Sequence, residues 1–107
     1  QVLEHILNKK WKLKDGDRDF VVMWHRFQFE LNGKLKEIQA HLTAVGADEV
    51  NTAMSKTVGL PLAIAAKLLM QGKIKSRGVV IPVIKEIYDP VLSELGELGI
   101  KLTELEI

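Results

Sequence analysis

The groups in this sequence equipped for chemistry are few, and most of them stand apart. His5 falls in a helical run, while His25 and His41 fall on two neighbouring β-rich runs. A shared metal ion needs imidazoles that converge, and the strand register derived below puts His25 and His41 on opposite faces of a sheet. A structural or solvent-facing side chain explains each histidine better. Asp15 and Asp17 lie in a polar loop, and Glu104 and Glu106 on an alternating tail, where carboxylates are solvated by default. The sequence contains no G-x-S-x-G nucleophile turn, no phosphate-binding loop and no G-x-G-x-x-G dinucleotide fingerprint. It therefore assigns no catalytic residue and no metal ligand, and gives the chain no phosphate cradle of its own.

What remains is SKTVGLP, residues 55–61. A glycine lets a ligand or another backbone come close. A proline in the first turn of a helix leaves neighbouring amides aimed outward at the positive end of the helix dipole. Two geometries fit: a helix that starts afresh at Leu60-Pro61, or one that runs from Thr52 and bends where Pro61 has no N–H for the Thr57 carbonyl. Either exposes polar backbone near Lys56, Thr57 and Gly59. The plainer alternative is a kink, or a close contact between helix and sheet, with no ligand involved.

Periodicity sets the elements that must carry these residues. Val2, Leu3, Ile6 and Leu7 recur at helical spacing and give Gln1 to about Lys10 one apolar face. The Lys-Asp-Gly-Asp turn that follows ends this helix. Residues 19–31 and 34–46 are β-rich runs joined by Asn32-Gly33, the pair that most readily adopts the two positive φ angles of a type I′ turn. Counting outward from a two-residue loop pairs Leu31 with Lys34, Phe29 with Lys36, Phe27 with Ile38, His25 with Ala40, Met23 with Leu42 and Val21 with Ala44. That face is apolar except near the hairpin tip. The other face pairs Gln28 with Glu37, Arg26 with Gln39, Trp24 with His41 and Val22 with Thr43. One side is expected to pack on helices, the other to be solvated or to lean on a neighbour.

Thr52 or Asn51 is placed to cap the next helix. Between Pro61 and Met70 this helix is apolar almost all round apart from Lys67, the composition of a helix covered on most sides, and Gly72 closes it. RGVVIP (77–82) is long enough for a brief strand or an extended crossing. Residues 85–100 carry helical spacing from a start near Glu86, which would put Pro90 in the first turn and Gly99 just past the end. Residues 101–107 alternate and add a last strand. The expected fold class is α+β, an antiparallel sheet built on the hairpin with helices packed on one face.

A chain of 107 residues makes one domain, and 47% apolar with 27% charged residues is globular composition. Fifteen basic against fourteen acidic side chains leave a net charge of +1, too balanced for a nucleic-acid surface. Lys9, Lys10, Lys12 and Lys14 are followed at once by Asp15, Asp17 and Asp19, so that charge run is expected to be a solvated loop. The absence of cysteine removes disulfides, thiolate nucleophiles and sulfur-ligated zinc, and suits a reducing cytoplasm. No unbroken run of about twenty apolar residues and no signal-peptide pattern occurs, so no membrane partner is expected. The sequence opens at Gln1, inside what reads as a helix, and is expected to be a piece of a longer polypeptide.

Across DRDFVVMWHRF (17–27), TAMSKTVGLPLAIAAKLLMQGKI (52–74) and RGVVIPVIKEIYDPVLSELGELGI (77–100), the sequence resembles the C-terminal portion of the saccharopine dehydrogenase (L-glutamate-forming) family, also called saccharopine reductases. The T-V-G-x-P-x-A spacing from Thr57 to Ala63 is specific to the resemblance. It implies an NAD(P)-dependent oxidoreductase that makes or breaks the secondary amine joining a lysine-derived semialdehyde to glutamate. NAD or NADP would be bound by a nucleotide-binding domain outside this chain. Residues 1–107 would be the C-terminal part of the dehydrogenase's substrate domain, partnered by the rest of the parent polypeptide, homodimeric and inactive alone. The groups that transfer protons in this family belong to upstream segments, so none is carried onto this chain.

By the same resemblance, Thr57, Gly59 and Pro61 would stand beside the nicotinamide or the amino-acid substrate, with Lys56 facing a substrate carboxylate. The carboxynorspermidine dehydrogenases, with a similar tail and a similar amine-coupling reaction, are the nearest catalytic alternative. Two further alternatives are a small regulatory module that binds an amino acid, and an oligomerisation module using Val22 and Trp24 on the outer hairpin face.

Overall fold

The computed structural model describes all 107 residues. Its elements run α1 (Val2–Trp11), β1 (Phe20–Leu31), β2 (Lys34–Val45), α2 (Ala53–Met70), α3 (Lys85–Glu97) and β3 (Thr103–Glu106). Asn32 and Gly33 take φ values of 53° and 71°, the two positive angles that match a tight hairpin loop to the twist of its strands. From that loop the pairing runs from Leu31 with Lys34 to Phe20 with Val45, in the register counted from the sequence. The C-terminal strand adds antiparallel to β2, giving the order β1-β2-β3 and leaving β1 as an edge. Sheet and helices together make an α+β fold.

The helix holding Gly59 and Pro61 does not start afresh at Leu60. It is continuous from Ala53 to Met70, and Thr52 caps it by accepting the Ser55 N–H on Oγ1 at 2.9 Å. Pro61 withdraws one donor, the N–H that would have met the Thr57 carbonyl, and the helix carries on around that loss. At its far end Gly72 takes φ 70°. There the Gly72 N–H donates to the Leu69 carbonyl and the Lys73 N–H to the Leu68 carbonyl, each at 3.0 Å, a Schellman arrangement. With 18 residues at mean hydropathy 1.3, α2 is long and apolar enough to cross a membrane by length and composition alone, a profile it shares with core helices.

Residues 77–82 form no strand. Their neighbours are tied down locally instead: the Glu86 carboxylate accepts the Lys75 N–H at 2.5 Å and the Ser76 hydroxyl at 2.6 Å. These bonds, the Ser76 hydroxyl foremost, hold its carboxyl below the usual carboxylate range. Because α3 begins at Lys85, Pro90 falls beyond the first turn, inside the helix, where it leaves the Glu86 carbonyl without its helical donor.

The core lies between the last two helices: Ile64 and Leu68 of α2, Ile74 after it, and Ile87, Val91 and Leu95 of α3. Ala40 and Leu42 of β2 and Ala53 at the start of α2 are also buried, outside that cluster. Only α2 touches the sheet; α3 packs on α2, and α1 packs on neither helix nor strand. The expectation that residues 61–70 are covered on most sides is therefore corrected. Leu62, Leu69 and Met70 are exposed, because α3 covers only the side of the helix that carries Ile64 and Leu68.

Candidate functional site

The junction between sheet and α2 determines where Lys56 to Pro61 stand. Asp19, just ahead of β1, turns its carboxylate onto the first turn of α2. Oδ1 accepts the Ala53 N–H at 2.6 Å and Oδ2 accepts the Met54 N–H at 2.9 Å. Those two backbone bonds, Met54 foremost, hold the Asp19 carboxyl below the usual carboxylate range. The neighbouring Arg18 donates from Nε to the Gly46 carbonyl at 2.6 Å, and the Gly46 N–H donates to the Asp19 carbonyl at 2.9 Å. A Cβ at Gly46 would overlap Asp19 Oδ1 and come within 3.0 Å of the Ala53 nitrogen and 3.1 Å of Thr52 Cα.

Asp19 is therefore no member of a solvated charge loop, as its setting among Asp15 and Asp17 implies. Its partners lie 34 and 35 residues away, so no local spacing reveals them. The nearest signal in the sequence is Gly46, shortly before the cap residue.

The four candidate residues run from the end of the first turn of α2 into the third, but not on one face. Thr57 and Pro61, one turn apart, lie half-covered toward the core side, with Lys56 and Leu60 beside them. Gly59 points the other way, into the exposed strip with Val58 and Leu62. A Cβ at Gly59 would meet nothing within 4 Å, so this glycine serves no helix–sheet contact inside the chain. The Thr57 hydroxyl donates to the Met54 carbonyl at 3.3 Å. Lys56 forms no ion pair, and its ammonium lies in the field of Asp19 and Asp48.

Beyond Gly59, the exposed strip runs into an open groove of about 330 Å³ between α2 and residues 76–80. Leu62, Ala65, Leu69, Ile74 and Val80 line it. No three histidine, aspartate or glutamate side chains stand close enough to hold a metal. A dinucleotide pyrophosphate seeks free amides at a helix start, whereas the first amides of α2 are already taken by Asp19 and Thr52. The residues of this chain do not fit a nicotinamide dinucleotide by themselves. What α2 offers is a bare stretch of helix backbone at Gly59, a nearby cation at Lys56, and an apolar strip leading away.

A family model described as the saccharopine dehydrogenase C-terminal domain matches residues 1–100. The chain is 36% identical over 103 residues to the saccharopine dehydrogenase (NADP+, L-glutamate-forming) of Pyricularia oryzae, covering 92% of this chain and 23% of that protein. It is 36% identical over 106 residues to the alpha-aminoadipic semialdehyde synthase of Arabidopsis thaliana, covering 94% of this chain and 10% of that protein. The solved structure of apo saccharopine dehydrogenase (L-Glu forming) from Saccharomyces cerevisiae matches with a TM-score of 0.86 at 34% identity, covering 98% of this chain and 24% of that one. The chain thus spans between a tenth and a quarter of the length of these relatives.

Proposed function

This chain belongs to the saccharopine dehydrogenase C-terminal domain family, and from that premise we propose that it is the C-terminal part of an NAD(P)-dependent oxidoreductase of lysine metabolism. The substrate is the secondary amine that joins a lysine-derived semialdehyde to glutamate. The carrying observation is the match over residues 1–100 to that family model, supported by the names of relatives that include an NADP+-dependent, L-glutamate-forming saccharopine dehydrogenase. The cofactor supplies hydride chemistry when bound, and it is held by the rest of the parent polypeptide, which is this chain's first partner. Homodimerisation and a cysteine-free life in a reducing cytoplasm belong to the same reading.

Within it, the chain's own residues bind and orient. Gly59 lets the amino-acid substrate or the nicotinamide approach the backbone of α2 without meeting a side chain. Lys56 supplies a positive charge for a substrate carboxylate, and Thr57 and Pro61, between which the helix lacks one backbone bond, stand beside the substrate or the nicotinamide. No proton-transfer group is assigned to this chain.

The test is turnover by the polypeptide of the complete gene, following cofactor reduction with saccharopine and assaying glutamate. Saccharopine-dependent reduction with stoichiometric glutamate is the expected result. Turnover of carboxynorspermidine instead would move the chain to that enzyme class. No turnover, together with tight calorimetric binding of lysine or glutamate without cofactor, would make it a regulatory amino-acid module.

A further inference from the structure

We propose that Asp19 is a positioning residue for the site on α2: its carboxylate, seated on Gly46, fixes where Lys56 to Pro61 stand relative to the sheet. The proposal rests on the functional reading above and adds to it a residue outside SKTVGLP. Its ground is the economy of the junction. α2 is the only element that links the sheet to the helical half of the molecule, and the Asp19 carboxylate holds it at its first turn.

There one carboxylate holds two successive amides, Ala53 and Met54, at 2.6 and 2.9 Å. The two-point grip constrains direction as well as distance, because both oxygens must meet N–H groups fixed by the helix. Gly46 forms the wall behind the carboxylate, with no room for a Cβ. Arg18 and the Gly46 N–H lock that wall to the segment carrying Asp19. From this grip α2 works as a lever: at 1.5 Å per residue, Gly59 lies about 9 Å along the axis from Ala53. Over that lever a tilt of about 6° at the grip moves Gly59 by about 1 Å, a displacement that suffices to impair catalysis strongly.

The experiment uses the intact enzyme and steady-state kinetics below the melting temperature of every variant. Asp19→Asn keeps the shape but loses the charge and one acceptor. Asp19→Glu keeps the charge and lengthens the arm by one methylene. Gly46→Ala pushes the carboxylate off its seat. Each should lower kcat/KM on the order of ten- to a hundredfold, mainly through KM for the amino-acid substrate. Asp19→Glu should be impaired in kinetics beyond what its change in melting temperature suggests. Asp19→Asn and Gly46→Ala combined should cost little more than either alone, as expected of two parts of one device.

Wild-type kinetics in Asp19→Asn and Asp19→Glu, alongside an impaired Gly59→Val, would overturn the positioning role and leave the site reading standing. If Asp19→Asn fails to fold, Asp19→Glu carries the test by the same criterion. Wild-type kinetics in all of them, Gly59→Val included, would overturn the site reading, and the positioning role would fall with it.

Discussion

Gly59 shows how a residue can be out of place in its own element. A helix interior disfavours glycine by about 1 kcal/mol relative to alanine, since glycine surrenders more backbone freedom on folding. Something must offset that cost, and nothing inside the chain does: the position faces open space. Two substitutions separate its roles. Gly59→Ala is expected to raise the stability of α2 by about 1 kcal/mol, measured by denaturant unfolding. Gly59→Val in the intact enzyme is expected to lower kcat or raise KM with its melting temperature nearly unchanged. A glycine kept for folding alone would give the reverse, lost stability ahead of lost activity. Gly46 is the contrast. Gly46→Ala is expected to destabilise by roughly 1–3 kcal/mol, as overpacking does, because its Cβ would run into the Asp19 carboxylate and the backbone at Thr52 and Ala53.

At the scale of elements, the hairpin owes its shape to local chemistry and one polar cluster. On the outer face the Glu37 carboxylate accepts from Arg26 Nη2 at 2.7 Å, Gln28 Nε2 at 2.8 Å and Gln39 Nε2 at 3.1 Å. These bonds, Arg26 first, lower its pKa from the ordinary 4.5 to about 2. A depressed carboxyl pKa means that the ionised form stabilises the fold: the contribution is complete above about pH 4.5 and is lost as pH falls through about 2. Melting temperatures taken from pH 5 down to 2 should fall more steeply for the wild type than for Glu37→Gln, and parallel curves would count against the cluster.

The hairpin was also the most legible element, because Asn32-Gly33 admits one loop geometry and a two-residue loop admits one register. The continuity of α2 was not legible. Whether the chain restarts at Pro61 depends on a cap at Thr52 and on Asp19, which arrives from more than thirty residues upstream. The bare side of the helix from Leu62 to Met70 was hidden for a related reason. An apolar sequence records that a surface will be covered, not whether its own chain covers it.

At the scale of the whole molecule that last point becomes quantitative. A compact monomer of 12.0 kDa exposes about 6,000 Å², whereas this chain exposes 8883 Å². Its radius of gyration is 18.0 Å, against about 13 Å for a compact domain of this length. Only 10 of 107 residues are buried, while Trp11, Leu62, Val79 and Ile81 are each more than 70% exposed. The excess of roughly 2,900 Å² is the size of an obligate interface. The apolar face of α1, the edge strand β1 and the outer strip of α2 are the surfaces a larger protein would cover. By itself the chain has one contiguous core cluster of six buried residues to set against the conformational entropy of ordering 107. The 107-residue chain alone is expected to melt far below the intact enzyme and to self-associate as its concentration rises. Scanning calorimetry of both species and sedimentation of the isolated chain measure this. A sharp, concentration-independent transition at the enzyme's own melting temperature, from a chain that sediments as a monomer, would show that the exposed surface needs no cover.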